Sequence, residues 1–479
     1  MSEKSTNKKK DLERYFEKYS KNLFLIDSYK NKYTYSDFYL NALKLINYLD
    51  NKSVKTDSKI LIIKQNSIDY LIILYACLLG GYVACPIDPT LKKEKITELK
   101  KLYKIDYTIE DIDKIDYKKC KADPNHVRHV NTDYLIIGSS GTAGEPKGIL
   151  FSSDSILSSA QSFSELAKYN DKTKILHCLP MFYMGGILDT FFACMYSGST
   201  IILGKRFSIT NVLNFWELPI NYKCNTLFLT PSIVAFLCAI YKKPNYEIIK
   251  HVSEYRSIIA TGSYLYPEIR ENFYKIFKKK ILSCYGATEL VGPLTLQDEE
   301  DTFEDFCVGR HGKDVKILIK KDEEGSNIIM VKNPFFMKGY ITNKGYEPFK
   351  SFDGYYDTGD IGDYKNNLLY IKGRKRNIIK KGGELIFLSL IEKTALQSGI
   401  VLESVAIGKK DLIAGEEPYL ITVFKKNLLE TDCIEGLNKF LQKKLRPIEV
   451  PKKIITISKL PRTKSGKVIK KSLLKLLEN

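Results

Sequence analysis

The feature that most constrains the fold is an alternation of short apolar runs with helical patterns, which continues to about residue 283. Residues 59–64 form an aliphatic run, residues 67–79 have helical periodicity, and residues 82–87 are apolar again. A strand, a helix and a strand at this spacing are typical of a parallel, doubly wound sheet. The pattern therefore predicts an α/β fold with a large N-terminal unit built on such sheets.

The pattern changes beyond about residue 308, where short β-runs are separated by turns. This change predicts a small β-barrel-like unit. The basic stretch at residues 373–376 then precedes about a hundred residues that have an α+β pattern of their own, which predicts a separate C-terminal domain. With 479 residues the chain is long enough for roughly three domain-sized units.

A glycine-rich stretch follows the apolar run at residues 134–137. Glycines let backbone N–H groups approach a ligand closely, hydroxyls add donors, and a lysine adds a mobile counter-charge, so the stretch predicts a nest for phosphate oxygens. Its members are Gly138, Ser139, Ser140, Gly141, Thr142, Gly144, Lys147 and Gly148. A mononucleotide P-loop would end in Gly-Lys-Ser/Thr, which residues 146–148 do not supply. A Gly/Ser-rich surface turn is the structural alternative.

Four further sites have the chemistry of nucleotide contacts. Residues 285–289, Tyr-Gly-Ala-Thr-Glu, follow a predicted strand and place an aromatic ring, a hydroxyl and a carboxylate at the carboxyl edge of a sheet. Asp360, in a predicted turn, is suited to accept ribose hydroxyls, and Arg374 is a candidate second ribose contact. Lys467, in a Gly-flanked turn, is able to bring a point charge into a distant site. Each motif taken singly is common in unrelated proteins.

The net charge and the cysteine pattern indicate which binding partners and which cellular location to expect. A net charge of +19 favours anionic partners such as nucleotides, an acidic carrier protein, nucleic acid or a membrane surface. The lysines are scattered, without an Arg-rich or aromatic-interleaved motif, so we expect no nucleic-acid partner. The ten cysteines contain no Cys-x-x-Cys pair, which favours reduced thiols in a cytoplasmic location.

One segment would pass a hydropathy filter for a membrane span. Residues 70–87 carry no charged side chain, but Gly80, Gly81 and Pro86 divide them into a helix, a turn and a strand. Residues 1–10 are polar and basic and contain no apolar core. We therefore expect neither a membrane span nor a secretory signal.

In their order along the chain, these motifs resemble the adenylate-forming ligase superfamily, which includes acyl- and aryl-CoA synthetases, adenylation domains of nonribosomal peptide synthetases, and firefly luciferase. The resemblance covers nearly the whole chain. The segments that carry it are residues 80–89, 139–148, 285–289, 338–340, 356–360, 373–383 and 461–467.

The resemblance implies a two-step reaction. A carboxylate attacks the α-phosphate of ATP to give an acyl-adenylate and pyrophosphate, and a thiol then displaces AMP. It implies that residues 139–147 hold the β- and γ-phosphates, that Thr288 contacts the α-phosphate, and that Glu289 holds Mg²⁺. The adenine would be framed by Gly262, Ser263, Tyr264, Tyr285 and Gly286. Asp360 and Arg374 would bind the ribose.

The resemblance also implies a mobile C-terminal domain. The N-terminal domain would comprise residues 1–373, the hinge residues 374–376 with Arg376 as the pivot, and the C-terminal domain residues 377–479. Lys467 would be the catalytic lysine that bridges the carboxylate and the α-phosphate. Gly382 and Gly383 would line the channel for the thiol.

The chain departs from the family pattern at several positions. Ala143 replaces a phosphate-binding hydroxyl, and Ser153 and Tyr183 stand where acyl-CoA synthetases usually have histidine. Tyr183 and Gly186 are expected in the acid pocket; a phenol at 183 argues against an α-amino acid substrate, although Asp189 keeps that case open. The leucines at 385, 388 and 390 replace the usual Asn, Pro and Glu, which bears on thiol transfer.

Three functions remain open from the sequence. The first is an AMP-forming ligase that joins a small carboxylic acid to CoA. The second is the same adenylation followed by delivery to the phosphopantetheine arm of an acyl carrier protein, which the basic surface favours. The third is a nucleotide-binding relative that no longer catalyses.

Overall fold

The structure is a computed structural model. It describes residues 8–110, 116–128, 131–140, 146–301, 304–323, 325–381, 384–411, 414–425, 430–462, 468–474 and 476.

The first sheet has seven strands, and the parallel half of the sheet comes from the predicted strand–helix–strand pattern. Lys59–Ile62 pairs in parallel with Val83–Pro86 and with Tyr107–Ile109. Val83–Pro86 pairs in parallel with Asp133–Ser140, beyond which the pairing becomes antiparallel. The antiparallel strands are Pro146–Ser152, Gly339–Thr342 and Gly345–Pro348.

The second sheet has nine strands. Six consecutive strands are parallel, and antiparallel strands flank them at both ends. In spatial order they are Arg310–His311, Gly292–Leu296, Leu282–Ala287, Ser257–Ala260, Thr226–Leu229, Lys174–His177, Thr200–Leu203, Leu23–Ile26 and Lys32–Thr34.

Helices pack against both large sheets. They are Lys8–Lys18, Tyr35–Asn51, Ile68–Gly80, Lys93–Tyr103, Ser153–Leu166, Ala193–Met195, Glu217–Asn221, Pro231–Ile240, Tyr246–Ser253 and Pro267–Phe277, with a π-helix at Gly185–Phe192. Short 3₁₀ turns occur at Tyr117–Lys119, Pro124–His126, Val212–Asn214, Thr288–Leu290, Lys375–Asn377 and Pro447–Glu449.

The apolar segment at residues 70–87 is part of this core. The helix Ile68–Gly80 starts at Ser67, whose side chain accepts from the Tyr70 N–H, and ends at Gly81, which has a φ of 70°. Residues 70–80 are all buried, which explains why this helix is apolar on every side. Of the helices in the described ranges, none is long and apolar enough to cross a membrane, as expected.

The predicted barrel-like unit is a four-stranded antiparallel sheet. Its strands are Lys316–Lys321, Asn327–Lys332, Tyr356–Lys365 and Leu368–Arg374. The turn predicted around Asp360 was wrong, because Thr358, Gly359 and Asp360 lie inside the third strand. Gly359 adopts a φ of 65° there, a conformation that glycine enters without steric cost.

The C-terminal residues form a further sheet with cores of their own. Its strands are Ile378–Lys381, Glu384–Phe387, Val401–Asp411, Gly415–Phe424 and Lys453–Thr456, and its helices are Leu388–Gln397, Glu430–Lys444 and Lys470–Leu474. The two apolar clusters of this unit contain only residues from Ile379 onward. Leu388 is buried in one of them, and Leu390 packs against it. The α/β architecture with a separate C-terminal α+β unit agrees with the prediction.

Candidate active site

The glycine-rich stretch lies at the end of a β-hairpin. The strands Asp133–Ser140 and Pro146–Ser152 pair so that Gly138 faces Gly148 and Ser139 faces Lys147. The predicted loop is therefore shorter than expected, since both of its ends are β-structure. The backbone of Ser139 and Ser140 lies in the first strand; the side chains of these two serines, and the whole of Gly141, Thr142 and Gly144, lie outside the described residues.

Two of the glycines are explained by packing rather than by phosphate contact. A Cβ on Gly148 would lie 2.7 Å from the ring of Tyr103, and one on Gly138 would lie 3.2 Å from the Tyr103 hydroxyl oxygen. Tyr103 ends the helix Lys93–Tyr103 and is 1% exposed. The hairpin thus needs glycine at these positions to lie flat on the helix.

Tyr340 connects the hairpin to the predicted magnesium ligand. The Lys147 Nζ lies 3.7 Å from the centroid of the Tyr340 ring, and the Tyr340 hydroxyl donates to Glu289 Oε1 at 3.2 Å. Tyr340 pairs with Ile149 across the antiparallel strands, which places Lys147 diagonally opposite the ring. Burial, followed by the charge of Glu289, raises the pKa of Tyr340.

The backbone around Glu289 is held in an unusual conformation. The strand Leu282–Ala287 carries Tyr285 and Gly286, and the chain then folds back into the strand Gly292–Leu296. The sequence predicts Tyr285 after a strand, but the structure places it inside one. Between the strands, Thr288–Leu290 form a 3₁₀ turn, and Val291 has a φ of 61°. A β-branched residue with positive φ is strained. The Ser159 hydroxyl, which donates to the Val291 carbonyl, helps to stabilise this conformation.

Asp360 is the centre of a buried cluster. Its Oδ2 accepts from the Tyr285 hydroxyl at 2.7 Å, and its Oδ1 lies 2.7 Å from Arg374 Nε. Asp360 and Arg374 are directly opposite residues of adjacent antiparallel strands. Asp360 is 2% exposed, and the hydroxyl and guanidinium partners offset the hydration that its carboxylate loses on burial.

The two clusters are electrostatically connected. Burial alone would lower the pKa of Arg374, but the nearby Asp360, Tyr285 and Glu289 together raise it. Tyr356 lies between them, and burial, together with the charge of Glu289, raises its pKa to about 12. The motifs at residues 338–340 and 356–360 contain these two tyrosines, but the sequence alone assigns neither of them a role. For Tyr340 the available signal was its position next to Gly339, where a Cβ would lie 2.2 Å from the Glu347 carbonyl oxygen.

The remaining predicted contacts surround these clusters. Gly262 has a φ of 93°, and the Thr261 hydroxyl donates to the Cys284 carbonyl at 2.8 Å, which joins this loop to the strand that carries Tyr285. A small cavity is lined by Ser263, Tyr264, Arg270, Phe306 and their neighbours. The Tyr264 ring is stacked on Phe306 with centroids 5.2 Å apart.

Gly186, one of the two residues predicted to line the acid pocket, lies close to the backbone of Pro180. A Cβ on Gly186 would lie 2.2 Å from the Pro180 carbonyl oxygen, and the Gly186 carbonyl is 2.8 Å from Nε2 of the buried His177. Burial lowers the pKa of His177 to about 4, so the imidazole is neutral. Tyr183 lies just before the π-helix and is partly exposed. Gly286 is similarly constrained, since its Cβ would lie 2.1 Å from the Gly292 carbonyl oxygen.

Several residues predicted to belong to the site lie outside the described residues. Lys467, Gly382 and Gly383 lie outside the described residues, as does the side chain of Arg376, whose backbone belongs to the turn Lys375–Asn377. Close to this turn, the C-terminal unit contacts the rest of the chain through an ion pair between Lys393 and Asp305 and a 3.4 Å hydrogen bond from Tyr266 to Glu392.

The donor set near Glu289 fits a magnesium–nucleotide complex. Among the described residues there is no group of three or more His, Cys, Asp or Glu side chains that could hold a metal ion alone. Mg²⁺ needs only one or two carboxylates when phosphate oxygens and waters complete its octahedron. Glu289 supplies one carboxylate, and Lys147 adds a cation on the other side of Tyr340.

Comparison with protein families defines the class. A family model described as AMP-binding enzyme matches residues 12–341, and one described as AMP-binding enzyme C-terminal domain matches residues 390–467. The first match spans well over half of the chain. The chain therefore belongs to the AMP-binding enzyme family, which confirms the resemblance to adenylate-forming ligases.

Individual relatives are acid–CoA ligases. The chain is 30% identical over 375 residues to a malonate–CoA ligase of Arabidopsis thaliana, a match that covers 72% of this chain and 61% of that protein. It is 25% identical over 476 residues to a long-chain-fatty-acid–CoA ligase of Mycobacterium tuberculosis, covering 91% of this chain and 92% of the relative. The ATP-bound structure of MatB from Rhodopseudomonas palustris superposes with a TM-score of 0.85 at 19% identity and covers 98% of both chains. At that identity the superposition supports the fold.

Proposed function

We propose that the protein is an ATP-dependent acid–CoA ligase that works through an acyl-adenylate. The observation that carries the proposal is the arrangement around Tyr340, whose side chain contacts both the Lys147 cation and the Glu289 carboxylate, close to the pair formed by the buried Asp360 and the partly exposed Arg374. A polyphosphate with its counter-ion and a ribose need these groups. Relatives over most of the chain are named as ligases of the same class.

In the first step, an oxygen of the substrate carboxylate bonds to the α-phosphorus, and the bond from that phosphorus to the bridging oxygen breaks, which releases pyrophosphate. Both reactants are anions, so the site has to neutralise charge at the α-phosphate. In our proposal Lys147 and Thr288 contact the phosphates, while Asp360 and Arg374 orient the ribose. Mg²⁺ held by Glu289 would supply further positive charge to the phosphate oxygens.

In the second step, the sulfur of CoA attacks the acyl carbon, and the bond from that carbon to the AMP oxygen breaks. We propose that the C-terminal domain (residues 377–479) rotates about residues 374–376 between the steps, with Arg376 as the pivot, and that Gly382 and Gly383 then line the thiol channel. A rotation from the orientation described would separate Lys393 from Asp305 and Glu392 from Tyr266.

ATP–pyrophosphate exchange over a panel of carboxylic acids tests the proposal. Exchange with at least one acid, followed by transfer to CoA, is the expected result. Absence of exchange with every acid would contradict it and would favour a nucleotide-binding role.

Lys467 provides the sharper test, because the proposal assigns it to the first step alone. Lys467→Ala should lower the rate of adenylation by about 10²–10³-fold and leave the thiolysis of a supplied acyl-adenylate close to wild type. Lys459→Ala, at an exposed lysine of the same domain, is the matched control. Equal loss of both half-reactions would argue against this assignment.

A carrier protein is the second candidate acceptor, and the net charge of +19 favours it because carrier proteins are usually acidic. Adding either CoA or a purified phosphopantetheinyl carrier after adenylation separates the two candidates. Transfer to a carrier should weaken steeply with salt, since it depends on attraction between two protein surfaces.

A further inference from the structure

The turn at residues 179–186, which contains both residues predicted to line the acid pocket, lies where parallel strands of the two large sheets end. Lys174–His177 leads directly into it, and the neighbouring strand Thr200–Leu203 ends at the same edge of the nine-stranded sheet. From the seven-stranded sheet, the segment that follows Lys59–Ile62 contacts the turn through Asn66. Ligands of α/β folds bind in the crevice at the carboxyl ends of parallel strands. The conformation of this turn therefore matters for a ligand bound in that crevice.

Asn66 stabilises the beginning of the turn. Its Nδ2 donates to the Leu179 carbonyl at 2.7 Å, and its Oδ1 accepts from the Met181 N–H at 3.2 Å. The side-chain amide uses one donor and one acceptor, so it pairs with the turn as the backbone of a neighbouring strand would. Because Asn66 follows a strand of one sheet and Leu179 follows a strand of the other, the contact fixes the turn relative to both sheets.

His177 stabilises the end of the turn. It is completely buried, and its Nε2 donates to the Gly186 carbonyl at 2.8 Å. Burial lowers the pKa of His177 to about 4, so near pH 7 the imidazole is neutral and this contact does not change with protonation. A Cβ on Gly186 would lie 2.2 Å from the Pro180 carbonyl oxygen, which shows that the two ends of the turn touch. A shift of one end therefore has to move the other.

Between its two ends, the turn carries Tyr183. The Tyr183 N–H donates to the Pro180 carbonyl, and the Tyr183 carbonyl accepts from the Gly186 N–H. The ring of Phe182 lies 4.8 Å from the ring of Tyr183 and 5.1 Å from the Arg206 guanidinium, measured between ring centroids and to the guanidinium carbon. Tyr183 is itself partly exposed. Its position thus depends on a backbone that side chains from elsewhere in the fold stabilise at both ends.

We propose that Asn66 and His177 are positioning residues that decide which carboxylic acid the turn accepts. This inference rests on the proposed ligase function and deepens it, because it concerns the acid pocket of the same site. Neither side chain has to touch the acid, since each acts by fixing the backbone that carries Tyr183 and Gly186. A displacement of about 1 Å is enough to cost roughly 10²-fold in rate, because the acid then meets the α-phosphate in the wrong geometry.

Hydrogen exchange of the ligand-free protein tests the positioning without any reference to catalysis. His177→Leu removes the donor and keeps a buried apolar side chain, so the amides of residues 179–187 should exchange about tenfold faster, the factor expected for one lost hydrogen bond. His177→Gln supplies an amide N–H and should restore part of the protection. Unchanged exchange in His177→Leu would overturn the inference.

The matched control for this experiment is Tyr241→Phe. It deletes a hydroxyl that donates to the Val212 carbonyl at 2.8 Å, which is also a contact from a side chain to the backbone of a turn. This turn is a different one, so the exchange of residues 179–187 should stay at the wild-type rate.

Kinetics separate the positioning of the acid from a general loss of structure. ATP–pyrophosphate exchange is measured with malonate, hexanoate and benzoate, and the best of the three serves as the reference acid. His177→Leu and Asn66→Leu should each raise the KM for that acid by about tenfold and the KM for ATP by less than about twofold. Each should also reduce the difference in kcat/KM between the three acids. The double variant should lose less than the product of the single effects, because both substitutions release the same turn.

The alternative outcomes separate this inference from the ligase function. If both substitutions raise the KM for ATP as much as the KM for the acid, the residues support the fold as a whole, and the inference is wrong while the ligase function stands. Unaltered discrimination between the acids would overturn it in the same way. If the wild-type protein shows no exchange with any acid, the ligase function fails and acid selection fails with it, whereas hydrogen exchange still decides whether Asn66 and His177 stabilise the turn.

Discussion

Asp360 and Asp189 are two aspartates of nearly equal burial, 2% and 3% exposed, in opposite environments. Asp360 has the Tyr285 hydroxyl on one oxygen and the Arg374 guanidinium on the other. For Asp189, burial is the sole cause of a pKa raised well above the usual 3.8, and the described residues offer its Oδ1 no donor. One carboxyl group thus has a partner on each oxygen, whereas burial disfavours the charged form of the other.

The comparison shows that burial alone does not decide what a carboxyl group does. At Asp360 the protein itself provides the partners, so the carboxylate is held in a fixed orientation. At Asp189 the described residues provide no donor to Oδ1, and burial raises the pKa of the carboxyl group.

Removing the paired carboxylate should have the largest effect. Asp360→Ala leaves the Tyr285 hydroxyl buried without an acceptor and Arg374 without its partner, so the free energy of unfolding should fall by about 3 kcal/mol. This is the low end for breaking a buried pair, because the Arg374 side chain is 41% exposed and water can reach it. Denaturant titration measures the loss, and the KM for ATP should rise in parallel. A loss below 0.5 kcal/mol, the size typical of surface substitutions, would contradict the buried-pair description.

Removing the guanidinium group of Arg374 should lower the free energy of unfolding somewhat less. In Arg374→Met the carboxylate keeps the Tyr285 hydroxyl, and water can replace part of the guanidinium, so we expect a destabilisation of about 2 kcal/mol. Lys95→Met removes one partner of an exposed ion pair and should change stability by less than about 0.5 kcal/mol. Equal effects of the two substitutions would mean that the buried pair is no stronger than a surface pair.

Removing a single hydrogen bond to the same carboxylate should cost less again. Tyr285→Phe keeps the ring and deletes the hydroxyl that lies 2.7 Å from Asp360 Oδ2, which should destabilise the protein by about 1.5 kcal/mol. Chemical denaturation compared with Tyr29→Phe, at an 84% exposed tyrosine, measures this effect. A double mutant with Asp360→Ala should be less destabilised than the sum of the single mutants, since both remove one interaction.

The smallest expected change in the free energy of unfolding is an increase rather than a decrease. Asp189→Asn should stabilise the protein at pH 7.5 by about 1 kcal/mol, because burial raises the pKa of the wild-type carboxyl group above its value in the unfolded chain, which costs stability as the pH rises. Below about pH 3.8 the unfolded chain binds the proton as well, so the gain should vanish there. Stability curves from pH 4 to pH 7.5 test this, and a difference that does not depend on pH would show that Asp189 is ionised in the fold.

The architecture was predictable because its signals are local. The periodicity around residues 59–87 is visible in the chain itself, and it specifies the parallel strands and the buried helix that the structure contains. The sequence analysis places Tyr285 after a strand and Asp360 in a turn, whereas the structure places both inside strands. In each case the chain folds back soon afterwards and pairs with the motif, and such pairing leaves no periodic trace in the motif itself.

The parts of the site that depend on long-range contact could not be predicted. The need for glycine at 148, 186 and 286 arises from Tyr103, from the Pro180 carbonyl and from the Gly292 carbonyl. The contact of Tyr340 with Lys147 and Glu289 joins residues that are far apart in sequence. In the sequence Asp189 stands out only as a neighbour of Tyr183; that its Oδ1 has no hydrogen-bond partner among the described residues is a property of the packed fold.

If Lys147 contacts the phosphates as proposed, its position over the Tyr340 ring makes nucleotide binding an exchange of partners rather than the addition of a new one. The ammonium group already lies over a π-face, a contact worth about 0.5–1 kcal/mol at a partly exposed site. In that proposal the triphosphate draws the ammonium group away from the ring, and the ring binds it again when pyrophosphate leaves. Tyr340 would then weaken the hold on the leaving group by a modest amount, which favours release of the product over its retention.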